Sequence, residues 1–183
     1  TDNGCTSLDS LIITQNKQAP AVQVSPAFPL TCAVTSVNLG ATASGSTVMP
    51  PSFLWNTSAG NILSGDSTAQ PLIDAPGQYA LTVTDPANGC TTTGGVIVFQ
   101  NTTPPPIDIL PATVITCSSP SQSLQGQNTA TGGSFSYSWA ASDGGHISAG
   151  DSTLTPSINA PGMYRLLATN LVNGCHAMDS IQV

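Results

Sequence analysis

The sequence predicts an all-β protein built as tandem antiparallel β-sandwiches of about seven strands each. Three observations carry that prediction. The first is a fixed period: Cys5, Cys90 and Cys175 are evenly spaced, the step from 5 to 90 equalling the step from 90 to 175. Cys32 and Cys117, Ile62 and Ile147, Asp66 and Asp151, and Tyr79 and Tyr164 repeat at the same spacing. A fixed period marks an array of units. A unit of this length is too long for a solenoid repeat and suits a small autonomous β-domain. The second is composition. All nine acidic residues are Asp, Lys17 and Arg165 are the basic ones, and charged residues make up 6%. The helix formers Glu, Lys and Arg are nearly missing while Val, Ile and Thr are common, which favours strands. The third is patterning: short alternating apolar runs are separated by Pro-Gly, Asn-Gly and Gly-Asp-Ser-Thr turn signals.

The period divides the chain. Residues 1–13 read as the last strand of a preceding repeat, 14–21 as a linker, 22–98 as a first complete unit, 99–106 as a Pro-rich linker and 107–183 as a second complete unit. Proline in "NKQAPA" (16–21) and "NTTPPP" (101–106) favours extended, semi-rigid spacers. First strands are predicted in "AVQVSP" (21–26) and "IDILP" (107–111). The apolar phase changes within "LTCAVTSVNLGA" (30–41), so a bulge or bend is expected there. "SFLWNTS" (52–58) and "SFSYSWAAS" (134–142) put Phe53 and Trp55, or Phe135, Tyr137 and Trp139, on one buried face. "YALTV" (79–83) and "YRLLA" (164–168) follow Ala-Pro-Gly turns, the setting of a tyrosine corner, in which the phenol bonds back to the backbone. Trp55, Tyr79, Trp139 and Tyr164 are therefore expected in the core. Last strands are "GVIVF" (95–99), "SIQV" (180–183) and "SLII" (10–13).

Each complete unit holds two cysteines at the same separation, Cys32 with Cys90 and Cys117 with Cys175. The repeated spacing predicts one intradomain disulfide per unit, worth about 4 kcal/mol in the chain-entropy model. Such bridges belong to an oxidising, extracellular compartment. Trp55 and Trp139 follow Cys32 and Cys117 at near-immunoglobulin distance. The second cysteine comes well after the tyrosine, Cys90 after Tyr79 and Cys175 after Tyr164, at the far end of its strand. The bridge is therefore expected to tie the turn before the last strand to an early strand. The fold class is thus all-β, tandem Ig-like sandwiches with one disulfide per domain. Cys5 is left over; it is read as unpaired or as paired with an upstream repeat, the chain being a window on a longer array.

The residues show no active site, and the chain is read as non-catalytic. Ser, His and Asp all occur, but His146 and His176 are not at equivalent positions, and His146 is replaced by Asn61 in the other unit. No acidic pair suggests a glycosidase, and no glycine-rich phosphate loop is present. No cofactor is called for. A metal site is not expected without a CxxC pair; a weak calcium site at Asp66 or Asp151 is left open. Lysine-dependent isopeptide crosslinks are excluded inside the complete units, because neither contains Lys. The formal net charge of −7 and the absence of basic clusters argue against nucleic acid and anionic membrane surfaces. No apolar run reaches the length of a membrane span.

The motifs "LTC", a Trp followed loosely by Gly-Ile-Ser-Gly, "APGxYxL" and "VTDPANGC" resemble the tandem Ig-like or PKD-like repeats of large secreted surface proteins of Bacteroidota, including gliding-type adhesins. The second unit departs from the pattern with "ATNLVNGC". The resemblance implies export to the cell surface and a role as stalk or fibre. Asp-Ser followed by an apolar residue or Thr also resembles the O-glycosylation signal of that phylum. It marks Ser10, Ser67, Ser152 and Ser180 as candidate glycan sites, with simple turn chemistry as the other reading. Asn56 and Asn101 head N-glycosylation sequons that require a host with that machinery. The function read from the sequence is a structural repeat segment of a glycosylated extracellular fibre or adhesin stalk. Its partners are adjacent repeats, with lateral or head-to-tail self-assembly. The alternatives are a carbohydrate- or surface-binding module and a spacer of a large secreted enzyme.

Overall fold

A computed structural model describes residues 3–45 and 49–183. Thr1 and Asp2, the start of the predicted 1–13 strand, lie outside the described residues. The described chain is all-β. Its first half forms β1 (Ala21–Val24), β2 (Leu30–Thr31), β3 (Val37–Asn38), β4 (Ala41–Ser44), β5 (Ser52–Thr57), β6 (Ile62–Ser64), β7 (Leu72–Ile73), β8 (Gly77–Thr84), β9 (Thr91–Val98) and β10 (Gln100–Asn101). Its second half forms β11 (Ile107–Ile109), β12 (Gln122–Ser123), β13 (Gly126–Asn128), β14 (Phe135–Ser142), β15 (His146–Ala149), β16 (Ser157–Ala160), β17 (Met163–Asn170) and β18 (His176–Gln182).

Both halves pair their strands in the same order. One sheet is β5-β8-β9, matched by β14-β17-β18. The facing layer is built from β1-β4 and β3-β7-β6, matched by β11-β13 and β12-β16-β15. The β3–β4 segment is one strand interrupted by a bend at Leu39–Gly40. Leu39 N donates to Pro71 O at 3.0 Å and Ala41 N to Ala69 O at 2.9 Å. The same two bonds recur as Leu124 N to Pro156 O and Gly126 N to Leu154 O. Named by role, the layers are A-B-E-D against C-F-G, the immunoglobulin arrangement. The change of phase in "LTCAVTSVNLGA" lies earlier, between Val34 and Val37, where the chain leaves β2 through the Thr31–Val34 turn before β3 begins at Val37.

Strand alternation explains the two cores. In β8 the side chains of Tyr79, Leu81 and Val83 all turn inward and are fully buried, as are Tyr164, Leu166 and Ala168 in β17. Around them Leu30, Leu39, Trp55, Ile73 and Val98 complete the first core, and Ile109, Leu124, Trp139 and Ile158 the second. Each tryptophan is held from outside by the Gly-Asp-Ser-Thr turn. Trp55 N donates to Asp66 O and its indole Nε1 to Thr68 O; Trp139 does the same with Asp151 O and Thr153 O. Tyr79 Oη donates to Ala75 O at 2.6 Å and accepts from Asn61 N. Tyr164 Oη makes the matching pair with Ala160 O and His146 N. A buried phenol thus satisfies backbone groups of the loop that crosses it.

Residues 3–19 form no strand and are exposed, Leu11, Ile12 and Ile13 being 86%, 85% and 86% exposed. A last strand of a preceding repeat takes its neighbour from that repeat, and no described segment pairs with "SLII". One expected boundary differs. The predicted linker 99–106 begins with a strand: β10 runs parallel to β2, with Gln100 opposite Leu30 and Asn101 opposite Thr31.

Candidate functional site: a covalent joint

Where the first sandwich hands over to the second, three segments meet. The first is the tight turn after β2. Thr31 N donates to Val34 O at 2.8 Å, and Thr31 Oγ1 accepts from Ala33 N and Val34 N. A threonine hydroxyl that closes its own turn in this way holds the following residues in place. Cys32 sits at the exposed side of that turn. The second segment is the outgoing chain. Phe99 O accepts from Leu30 N at 2.9 Å, so the chain leaves the first sandwich along β2.

The third segment is the β17–β18 hairpin turn. Asn170 N donates to Cys175 O and Gly174 N to Asn170 O, both at 2.8 Å. Asn170 Oδ1 accepts from Val172 N, and Asn173 Oδ1 from Cys175 N. Gly174 lies at φ +71°, in the left-handed region that favours glycine.

The joint is closed by a disulfide between Cys32 and Cys175, with Cα atoms 5.0 Å apart and a sequence separation of 143. Beside it, Ala33 N donates to Asn173 O at 3.2 Å. Asn173 is 1% exposed, and its Nδ2 donates to Asn101 Oδ1 and Thr103 O, each at 3.0 Å. One asparagine therefore binds its own turn, the outgoing chain and the partner turn. The backbones approach so closely that a Cβ on Gly174 would lie 2.5 Å from Ala33 Cβ.

This geometry corrects the expected pairings. Cys32–Cys90 and Cys117–Cys175 do not form; Cys5, Cys90 and Cys117 are free thiols. The reason is the length of the last strand. Cys90 precedes β9, whereas Leu30, two residues before Cys32, is bonded to Phe99, just after β9. The two sites are separated by the strand's length, roughly 25 Å at the usual rise per residue, while bridged Cα atoms stay within about 7 Å. Cys175 and Cys117 are divided in the same way by β18. The period of the sequence could not expose this. A bridge within one unit and a bridge from one unit to the next differ by a single period and fit the repeats equally well.

The other singled-out residues lie elsewhere. Ser10, Ser67, Ser152 and Ser180 are exposed, Ser180 within β18. Asn56 is exposed in β5. Asn101, in β10, holds Asn173 through its Oδ1. His146 Nδ1 lies 2.7 Å from Asn159 Oδ1, and His176 opens β18. Among the described residues no group of three or more His, Cys, Asp or Glu could hold a metal ion, and no helix is long and apolar enough to cross a membrane. Sequence reasoning does not single out Asn88 and Asn173. Their signal is the repeated Asn-Gly-Cys, which reads as turn chemistry alone.

No family model matches the chain, and no curated protein matches its sequence. Solved structures are similar in arrangement. Titin domains Z1Z2 in complex with telethonin share 16% identity at a TM-score of 0.36, over 92% of this chain and 96% of that one. The eight N-terminal Ig domains of Down syndrome cell adhesion molecule share 12% at 0.49, over 90% of this chain and 27% of that one. The D00–D0 domain of intimin shares 10% at 0.39, over 88% and 98%. The fold assignment rests on strand order and register, which make the chain an all-β protein of paired Ig-like sandwiches joined by one disulfide among the described residues.

Proposed function

We propose that the chain is a structural segment of an extracellular fibre or adhesin stalk, made of tandem Ig-like units (22–98 and 107–183), that carries tension and performs no catalysis. The observation that carries this reading is the route of the covalent chain through the joint. With Cys32 bonded to Cys175, tension applied at the two termini passes across the sulfur atoms. Everything from Ala33 to Gly174 lies outside the stressed path. At about 3.4 Å per extended residue, that loop holds back roughly 480 Å of chain. A segment so wired resists being drawn out even when its sandwiches unfold.

An oxidising setting agrees with a disulfide at the joint, and the resemblance to Bacteroidota surface repeats supplies the stalk role and the glycans expected on the exposed Ser10, Ser67, Ser152 and Ser180. The reading as a surface- or carbohydrate-binding module draws on Phe28 and Phe99, exposed by 80% and 69% near β2 and β10.

Pulling a single molecule from its two ends tests the tension-bearing reading. The oxidised chain is expected to stretch only through its terminal segments, and a reductant to release roughly a further 400–500 Å. An oxidised chain that unravels to its full contour would overturn it.

A further inference from the structure

The formed joint has two halves: a Thr-Cys turn that receives and an Asn-Gly-Cys turn that enters. Each half recurs among the described residues without its counterpart, the receiving turn once and the entering turn at Asn88–Cys90 and, outside any strand, at Asn3–Cys5, where Gly4 has φ +69° and Cys5 N donates to Asn3 Oδ1 at 3.1 Å. Thr116–Ser119 repeats the receiving turn, with Thr116 N donating to Ser119 O and Ser119 N to both Thr116 O and Thr116 Oγ1, each at 3.1 Å. Cys117 stands exposed in it, as a free thiol, where Cys32 stands in the first. Asn88–Cys90 repeats the entering turn. Gly89 has φ +72°, Cys90 N donates to Asn88 Oδ1 at 2.8 Å, and Asn88 Nδ2 donates to Gln18 O as Asn173 Nδ2 does to Thr103 O. A Cβ on Gly89 would meet nothing within 4 Å. The receiving end of the second sandwich also carries an open apolar groove lined by Ala112, Val114, Ile115, Pro161 and Val183. One period earlier, Leu30 stands where Ile115 does; β10 pairs along it and it is 2% exposed, while Ile115 is half-buried.

We propose that this end face receives another unit of the same kind, and that Cys117 forms with the incoming Asn-Gly-Cys cysteine the bridge that Cys32 forms with Cys175. The occupant is a further copy of the repeat: its linker strand lies along Ile115–Thr116 and its turn seats on Ser118, which stands where Ala33 does. Cys90 is the entering half for a unit on the other side. The inference rests on the tandem-array reading and adds its wiring. Each unit is bonded to the next rather than within itself, so successive bridges overlap along the chain. The bond forms by thiol–disulfide exchange with a small disulfide such as oxidised glutathione. Two thiols lose two protons and two electrons, one S–S bond forms, and two glutathione thiols leave.

The test lengthens the chain after Val183 with a second copy of residues 99–183, which keeps the phase because Val183 stands where Val98 does. After oxidation in a glutathione buffer, peptides are mapped under non-reducing conditions with free thiols alkylated. The expected result is a peptide joining the original Cys117 to the added copy of Cys175, with Cys32–Cys175 intact and Cys90 alkylated. In the added copy Cys117→Ser removes the second receiving thiol and Met178→Leu, at an exposed position, marks its Cys175 peptide by mass. An alkylated Cys117 beside an intact Cys32–Cys175, or Cys117 bonded to Cys90 or to the unmarked Cys175, overturns the proposal and leaves the stalk reading standing. Loss of Cys32–Cys175 in the unlengthened chain overturns the stalk reading itself.

Discussion

The Asn-Gly-Cys turns at 88–90 and 173–175 are one turn in two surroundings. Their glycines have φ +72° and +71°, and their cysteine amides donate to the preceding Asn Oδ1 at 2.8 and 2.9 Å. Asp85 and Asn170, one period apart, each accept the turn's glycine amide on the main chain and a second amide on the side chain. What differs is what lies outside. Cys90 is half-buried with a free thiol, whereas Cys175 is 2% exposed and bonded to Cys32. A third copy, Asn3–Cys5, keeps the glycine at φ +69° and the cysteine amide on Asn3 Oδ1 at 3.1 Å although no strand flanks it, so the turn's shape is made by its own three residues before any partner arrives. Docking converts a local fold into a junction with little rearrangement, and a preformed half loses less entropy on binding.

The largest way to break this contrast is to remove the bridge. In the chain-entropy model, closing a loop with a sequence separation of 143 is worth about 5 kcal/mol. Cys32→Ser with Cys175→Ser is expected to lower the urea midpoint markedly, while Cys90→Ser with Cys117→Ser changes the unfolding free energy by no more than about 0.5 kcal/mol, as for substitutions that break no contact. Equal denaturation curves for the two double variants would mean that the joint adds nothing to stability.

Glycine sharpens the contrast. Gly89→Ala and Gly174→Ala both force a side chain into the left-handed region, at a cost of about 1–2 kcal/mol. Only at Gly174 does the new methyl also meet Ala33, 2.5 Å away, and overpacking of that kind adds about 1–3 kcal/mol. Gly174→Ala is expected to lose more stability than Gly89→Ala and to slow closure of the Cys32–Cys175 bond during oxidative refolding. Matching losses would show that the turn, and not the joint, demands the glycine.

The sandwich itself was legible because its signals are local. Trp55 and Phe53 alternate in β5, and Tyr79 follows Pro-Gly at the start of β8; each can be read within a few residues. The joint was not legible because a repeating sequence is silent about which copy touches which. "NGC" announces a turn, but nothing local tells whether its cysteine faces its own unit or the one before. That depends on which end of β9 or β18 the turn occupies, a property of the assembled sheet. "SLII" stands at the same phase of the repeat as residues 95–98 of β9, and a pattern of that kind makes a strand only beside a neighbour. "GDST" reads as a glycan or calcium signal, while its carbonyls hold the two tryptophans.

The finest test concerns the two asparagines. Asn88 and Asn173 both orient a cysteine amide and both donate to the incoming linker, at Gln18 O and Thr103 O. Asn173 alone adds a bond to Asn101 Oδ1, and it is 1% exposed while Asn88 is half-buried. Removing a buried amide strands the groups it satisfied, at about 1–3 kcal/mol, whereas water replaces a half-exposed one at lower cost. Asn173→Ala is therefore expected to cost about 2 kcal/mol and Asn88→Ala about 1 kcal/mol, measured by urea denaturation of the oxidised chain. The comparison should then be repeated in the Cys32→Ser, Cys175→Ser background. If the bridge is what holds Asn173 against the linker, the gap between the two substitutions closes once the sulfur bond is gone. If the gap persists, the asparagine holds the linker by itself and the disulfide locks a joint that hydrogen bonding has already assembled.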